Sequence, residues 1–443
     1  MTAAGNPLTL HGAPVHCALP NTPLADARAG LDTCVHCGFC LQTCPTYVVL
    51  EDENDSPRGR LLLMRSLLEG SLETSDADVR GHLDRCLGCR ACETVCPSGV
   101  PYGHLLEATR ATLTARHPLP LVARLLLGVF ARPTIMRLAM ALGRLARSLR
   151  LDALARILPG RFAFPLQMLG ATRVPLRTEP YAAAGDGSRG SFVLLEGCVM
   201  AGMYDGTNAA SKRTLTVNNY SCVNAAGQGC CGALHAHAGD LDTARTLARR
   251  NIAAFERSGV DFVVSNAAGC GAMLKEYQHL LADDTEWAAR AAAVSAKARD
   301  VTELLAAAGP VEGGRLELHV TYDAPCHLLH AQRISAPPLK VLAAVPGLKI
   351  VPLVDADYCC GAAGIYNLLE PDTSAAVLAP KLDHIEKTGA TLVATGNPGC
   401  LMQIGAGLSR SGSDARTIHP VDVLDASYAK LATKVIPSDA RDL

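Results

Sequence analysis

Short apolar runs and longer amphipathic stretches alternate through the second half of this chain. FVLL, DFVVS, LHVTY and TLVAT, beginning at residues 192, 261, 318 and 391, are brief apolar runs predicted to form buried strands. Helical patterns precede DFVVS and TLVAT and stop at Gly259 and Gly389. The pattern repeats: Ile252, Phe255, Glu256, Gly259 and Val263 match Leu382, Ile385, Glu386, Gly389 and Val393 at a constant offset of 130. Strands alternating with helices predict two copies of an α/β subdomain with mostly parallel sheets. In such folds, loops at the carboxyl ends of the strands build ligand sites. After DFVVS and after TLVAT the pattern predicts a Gly-Cys turn.

Upstream, Ser56 followed by Pro57 reads as the capped start of a helix through LLLMRSLLEG. Further on, Ile135, Leu138, Leu142, Leu145 and Leu149 fall on one helical face, with Arg137, Arg144, Arg147 and Arg150 on the other. Residues 116–173 hold ten Arg, no Lys and one acid, Asp152, a local charge of +9. Two roles fit a basic amphipathic helix: packing against the core and a partner subunit, or lying on an anionic membrane surface. Residues 1–30 show no periodicity and read as a loosely ordered lead-in. The stretch 174–190, ending in AAAGDGSRG, reads as a linker.

Charge over the whole chain is balanced, 41 Lys and Arg against 42 Asp and Glu, which offers nucleic acid no electrostatic footprint. The first thirty residues lack the apolar stretch of an export signal, and no charge-free run is long enough to span a bilayer, so a cytoplasmic chain is expected. There a reducing environment disfavours structural disulfides, and the 18 cysteines point to metal or redox chemistry.

Eight of them form two runs, Cys34-Val-His-Cys37-Gly-Phe-Cys40-Leu-Gln-Thr-Cys44-Pro45 and Cys86-Leu-Gly-Cys89-Arg-Ala-Cys92-Glu-Thr-Val-Cys96-Pro97. Both match the C-x2-C-x2-C-x3-C-P spacing of two-cluster ferredoxins, in which the fourth cysteine serves the other cluster. One [4Fe–4S] cluster is therefore expected on Cys34, Cys37, Cys40 and Cys96, the second on Cys86, Cys89, Cys92 and Cys44. Zinc, the alternative, favours separated C-x2-C pairs. Gly38 and Gly88 leave room for backbone near the sulfides, and Arg58 and Arg60 either offset cluster charge or form a solvated first turn.

A second set recurs with the repeat. Cys198, Cys230-Cys231 and Cys270 return as Cys326, Cys359-Cys360 and Cys400. These are candidate ligands for a further cluster in each copy, or for zinc, or a redox pair. The remaining alternative is a degenerate set kept for packing. His235 and His237 follow the first pair, and Cys17 and Cys222 fit neither pattern.

The repeat resembles the CCG cysteine-rich domain of heterodisulfide reductase, whose motif runs C…CCG…C-x-x-C. Here Met273 and Gln403 stand where that motif has its last cysteine. Nearly the whole chain resembles the iron–sulfur subunits of bacterial glycolate oxidases, closely so in CVHCGFCLQTCPTY, SPRGRLLLMRSLLEG, HLDRCLGCRACETVCPSGVPYG and QGCCGALHAHAGD. The resemblance implies a multidomain α+β and α/β chain. Its parts are a lead-in (1–30), a two-[4Fe–4S] ferredoxin-type domain (31–115), a basic helical region with linker (116–190) and two CCG domains (191–310 and 311–443). It implies two [4Fe–4S] clusters, further clusters if the CCG domains bind them, and FAD only on partner subunits. Those partners oxidise glycolate to glyoxylate, and electrons pass to quinone or another acceptor, with peripheral contact at the inner face of the cytoplasmic membrane. Subunits of the same layout serve lactate and glycerol-3-phosphate oxidation, and a disulfide-reductase role or a non-redox zinc scaffold are the remaining alternatives. No G-x-G-x-x-G after a strand, P-loop or Ser/His/Asp set occurs, so no catalytic residue for hydroxy-acid oxidation is expected in this chain.

Overall fold

The computed structural model describes residues 9–10, 13–14, 17–158, 160–176, 178 and 181–435. The chain divides into two compact units, one of residues 1–120 with 236–240, the other of 121–235 with 241–443.

The first unit is helical. Ser56 caps α1 (Pro57–Glu69) by accepting from the Gly59 amide at 2.9 Å, with Pro57 in the first turn. Helix α1 buries Leu61, Met64, Leu67 and Leu68, a stripe three or four residues apart, against α2 (Ala77–Asp84) and α3 (Tyr102–Arg116). Each such side chain is worth roughly 1.5–3 kcal/mol when buried. The lead-in is more ordered than its composition suggests. Residues 1–8, 11–12 and 15–16 lie outside the described residues, yet Leu19 and Leu24 are buried in this same core. Two apolar side chains suffice to pin a segment without helical periodicity.

The second unit begins with α4 (Leu121–Ala131) and α5 (Pro133–Ser148), bent by 102° at Arg132. Here the structure turns the expected amphipathic face around. Leu138, Leu142, Leu145 and Leu149 are more than half exposed, while Met136 is buried and Met140 packs with Met200 and Met203. Arg144 Nη1 donates to Gly202 O at 2.8 Å, and Arg147 Nη1 to Thr172 O at 3.0 Å and Met203 O at 3.2 Å. These carbonyls sit at helix C-terminal ends, where orphan acceptors and the dipole both favour a guanidinium. That need draws the arginines inward and leaves the leucines to the outside, so core packing of the leucine face is not what forms.

Two four-stranded parallel sheets follow. The first contains β1 (Ser191–Leu194), β2 (Ser221–Cys222), β3 (Phe262–Ser265) and β4 (Ala298–Asp300) in the order β2-β1-β3-β4. The second contains β5 (Leu318–Tyr322), β6 (Leu348–Val351), β7 (Leu392–Ala394) and β8 (Arg416–Ile418) in the order β6-β5-β7-β8. The topologies are identical, as the repeat predicts. Phe192 pairs with Phe262, and Val320 with Leu392. One core joins the sheets through Val264, Val320, Leu342, Leu392 and Leu424. The stretch read as a linker carries neither helix nor strand among its described residues from 181 to 190. It is nonetheless pinned, by Tyr181 donating to Asp425 at 2.9 Å and Arg189 N to Asn219 O at 3.0 Å.

Candidate metal centres

In the first unit a surface pocket is lined by Cys34, Cys37, Cys40 and Cys96, with Cys92 beside them. The two motifs are thus interleaved in space: Cys96 of the second sits with three cysteines of the first. The second group behaves in the same way. Cys44 is buried close enough to Cys92 for its charge to be felt there, as are those of Cys86 and Cys89. Burial pushes the Cys40 thiol up to about 11 and Cys92 well above the usual range. Such thiols keep their protons unless a metal cation displaces them, which is what a cluster of iron does. The donor set therefore fits the cofactor.

Gly38 and Gly88 adopt φ of +85° and +61°, a region that side chains rarely enter. That conformation lets the Gly88 amide donate to Cys86 Sγ at 3.4 Å. Tyr102 OH donates to the same sulfur at 3.6 Å. Burial raises Cys86, but the Arg60 and Arg110 guanidiniums outweigh it and hold the thiol below its ordinary value. Arg60 is fully buried, its Nη2 3.0 Å from Asp55 Oδ1 and its Nε donating to His82 O at 2.7 Å. Asp55 is also held by Arg85 and His82, so both carboxylate oxygens are engaged. Arg58, by contrast, is a third exposed and pairs with Glu53 at 2.8 Å. Of the two arginines, burial beside cysteines distinguishes Arg60, which the sequence left equal to its neighbour.

In the second unit the repeated cysteines gather at the carboxyl ends of β1, β2 and β3, and of β5, β6 and β7. Hydrogen-bond contacts run Cys198–Cys230–Cys231–Cys270 in the first copy and Cys326–Cys359–Cys360–Cys400 in the second. Cys360 and Cys400 sulfurs are 3.3 Å apart. Cys270 and Cys400 do not sit in turns as expected. They lie in the first turns of α8 (Ala268–Leu280) and α10 (Pro398–Ser411), where a hydrogen bond with Cys360 and burial push the Cys400 thiol well above its usual range. Around them the copies differ. In the first, Asn251 of α7 (Leu241–Ser258) donates to Cys230 O and Tyr277 to Cys231 O, both at 2.9 Å, clamping the adjacent pair. In the second, Lys381 of α9 (Pro371–Thr388) is buried against Asp323 at 2.6 Å and caps the Asp355 and Ala356 carbonyls at 3.2 Å. Burial lowers the Lys381 ammonium, but Asp323 outweighs it and the net shift is upward. Gln403 is occupied by Ser374 and Asn367, each at 2.8 Å.

His235 is buried. His237 lies in the first unit, 2.8 Å from Glu107. Cys17 and Cys222 are half-buried.

Comparison with known proteins agrees with this geometry. The chain matches the 4Fe-4S dicluster domain over residues 30–100 and the cysteine-rich domain twice, over 192–275 and 320–405. It is 38% identical over 416 residues to the probable glycolate oxidase iron-sulfur subunit of Bacillus subtilis, covering 88% of this chain and 92% of that protein. The glycolate oxidase iron-sulfur subunit of Escherichia coli is 35% identical over 389 residues, covering 86% and 91%. Lactate utilization protein A of Exiguobacterium is 32% identical over 200 residues, 45% of this chain.

Proposed function

This chain belongs to the family of glycolate oxidase iron–sulfur subunits, and from that premise we propose that its cysteines form a single-electron relay between flavin chemistry and a terminal acceptor. It is an electron-transfer subunit of a glycolate oxidase complex and carries iron–sulfur clusters. In the proposal, partner subunits with FAD oxidise the CH–OH group of glycolate to glyoxylate, and this chain passes the electrons to quinone or another acceptor.

The observation that carries this reading is the gathering of Cys96 with Cys34, Cys37 and Cys40 around one pocket. Cys34, Cys37, Cys40 and Cys96 are assigned to one [4Fe–4S] cluster; Cys86, Cys89, Cys92 and Cys44 are assigned to a second. When bound, each supplies a one-electron step. The chain's own residues set the conditions: Arg60, Tyr102 and the Gly88 amide offer positive charge and hydrogen bonds to the sulfurs, which favours the reduced state. Val35 and Phe39, both about two-thirds exposed, rim the first pocket and give a partner an apolar surface to approach. Cys198, Cys230, Cys231 and Cys270, and Cys326, Cys359, Cys360 and Cys400, are assigned to further iron–sulfur centres, one per repeat.

Among the described residues no single helix is long and apolar enough to cross a membrane. The exposed leucines of α5, beside Arg137 and Arg150, suit a peripheral contact with an anionic bilayer instead.

The test is purification under anaerobic conditions with co-expressed partner subunits, followed by iron, sulfide, zinc and flavin analysis and by substrate trials. The reading expects at least about eight iron and eight sulfide per chain, flavin on the partners, and cluster bleaching on adding glycolate. Stoichiometric zinc without iron would overturn it. Bleaching by lactate alone would support a second reading, lactate oxidation, for which the similarity to lactate utilization protein A speaks.

A further inference from the structure

The first repeat contains a buried histidine whose second nitrogen has nothing to do. His235 is 1% exposed, and its Nε2 lies 3.1 Å from Leu127 O. A carbonyl only accepts, so Nε2 carries the proton and Nδ1 of the neutral ring is left with a lone pair. That Nδ1 is buried and has no hydrogen-bond partner. Leaving such an atom unsatisfied carries the full desolvation penalty of a lost hydrogen bond, and a ring pinned by an N–H···O=C bond is how proteins hold a metal-ligating imidazole.

The surroundings say what it serves. His235 follows Cys231 by four residues, in the short helix Ala233–His237 that begins just after the Cys-Cys-Gly turn. Hydrogen bonds with Cys198 and Cys231 lower the Cys230 thiol, and a positive charge on the His235 ring would lower it further, so the ring lies within electrostatic reach of that sulfur. Met273, buried three residues beyond Cys270, holds the position that the CCG motif gives to its last cysteine. The first repeat therefore has four thiols, a missing fifth, and an unused imidazole nitrogen within electrostatic reach of one of them. The second repeat is built differently at these two positions. Gly364 takes the place equivalent to His235, and Gln403, in the fifth position, is spent on Ser374 and Asn367.

We infer that His235 donates Nδ1 to the metal centre of the first repeat, as a fifth ligand beside Cys198, Cys230, Cys231 and Cys270. The inference rests on the reading above that this repeat holds an iron–sulfur centre. Five donors exceed what tetrahedral zinc takes, and four thiolates alone would saturate it.

The test uses the full chain labelled with 15N-histidine and purified anaerobically, in wild-type, C230S/C231S, H235A and H235A/M273C forms. Iron is counted, and pulsed EPR records nitrogen coupling to each paramagnetic centre. The inference expects C230S/C231S to lose iron and one EPR signal. In wild type that same signal carries a strong 15N coupling, which H235A abolishes, and M273C restores the iron lost in H235A without restoring the coupling. Unchanged iron in C230S/C231S would overturn the underlying reading of the repeat. Iron lost there, with no 15N coupling on the vanished signal in wild type, would overturn the histidine assignment alone. The wild-type spectrum decides this without relying on how any variant folds.

Discussion

Arg60 Nη1 lies 4.0 Å from Cys44 Sγ, with the guanidinium fully buried and the sulfur nearly so. The same Nη1 donates to Thr46 Oγ1 at 3.0 Å, which in turn donates to Asp55 O at 2.8 Å. A positive charge is thus fixed against a ligand of the second proposed cluster. Arg60→Met should move that cluster's potential more negative by roughly 50–150 mV, the Coulomb term of a unit charge several ångströms away at an effective dielectric of about 20. It should also destabilise the first unit by roughly 3 kcal/mol, since Asp55 loses one of its buried partners. Redox titration followed by EPR measures the first effect. An unchanged potential would mean that Arg60 serves packing only.

The interleaving of the motifs predicts which cluster each cysteine serves. Cys96→Ser should cost the chain about four iron and remove the EPR signal also removed by Cys37→Ser, leaving the signal that depends on Cys89. Loss of the Cys89-dependent signal instead would show that each motif binds its own cluster.

Asp422 provides a pH test of the second unit. Burial pushes its carboxyl up to about 7, opposed by a hydrogen bond from Thr207 at 2.9 Å, with Asp425, Arg213 and Tyr204 also facing it. An unfolded aspartate ionises near pH 4, so between about 4 and 7 the unfolded chain releases a proton that the folded chain keeps, and stability falls as pH rises. Asp422→Asn lacks this loss. Its melting temperature relative to wild type should therefore climb across that window and level off above it. His419, lowered by burial to about 4, acts in the opposite direction but equally in both proteins. The chain's one tryptophan, Trp287, lies in this unit and reports its unfolding. Parallel curves for the two proteins would contradict the buried, protonated Asp422.

The outward leucines of α5 predict that the chain sediments with anionic vesicles and is released by salt, because surface attraction is screened within a Debye length. Leu138→Glu with Leu142→Glu should abolish sedimentation at low salt while leaving iron content unchanged. Equal binding to neutral and anionic vesicles, or none, would favour a protein partner on that face.

Local patterns carried much of this architecture. Apolar runs at 192, 261, 318 and 391 became strands, the 130-residue offset became two sheets of one topology, and Ser56-Pro57 became a helix cap. What could not be read locally depends on partners distant in sequence. Arg144 and Arg147 turn inward because Gly202, Met203 and Thr172 offer free carbonyls, and nothing within the helix announces that. Arg60 and Arg58 look alike in sequence, and only the fold buries one of them. The lead-in hides Leu19 and Leu24 because α1 and α3 provide the core that receives them. Likewise His235 is indistinguishable from an ordinary core histidine until Leu127, 108 residues earlier, fixes its tautomer.

The central claim, that this chain relays electrons from flavin to acceptor, is tested most directly in the purified complex with the full set of subunits. Glycolate is added to wild type and to Cys40→Ser and Cys92→Ser variants, and reduction of a flavin-accepting dye and of quinone is followed in parallel. Dye reduction is expected in all three, and quinone reduction in wild type alone. Quinone reduction at the wild-type rate in both variants, with their iron confirmed lost, would contradict the claim.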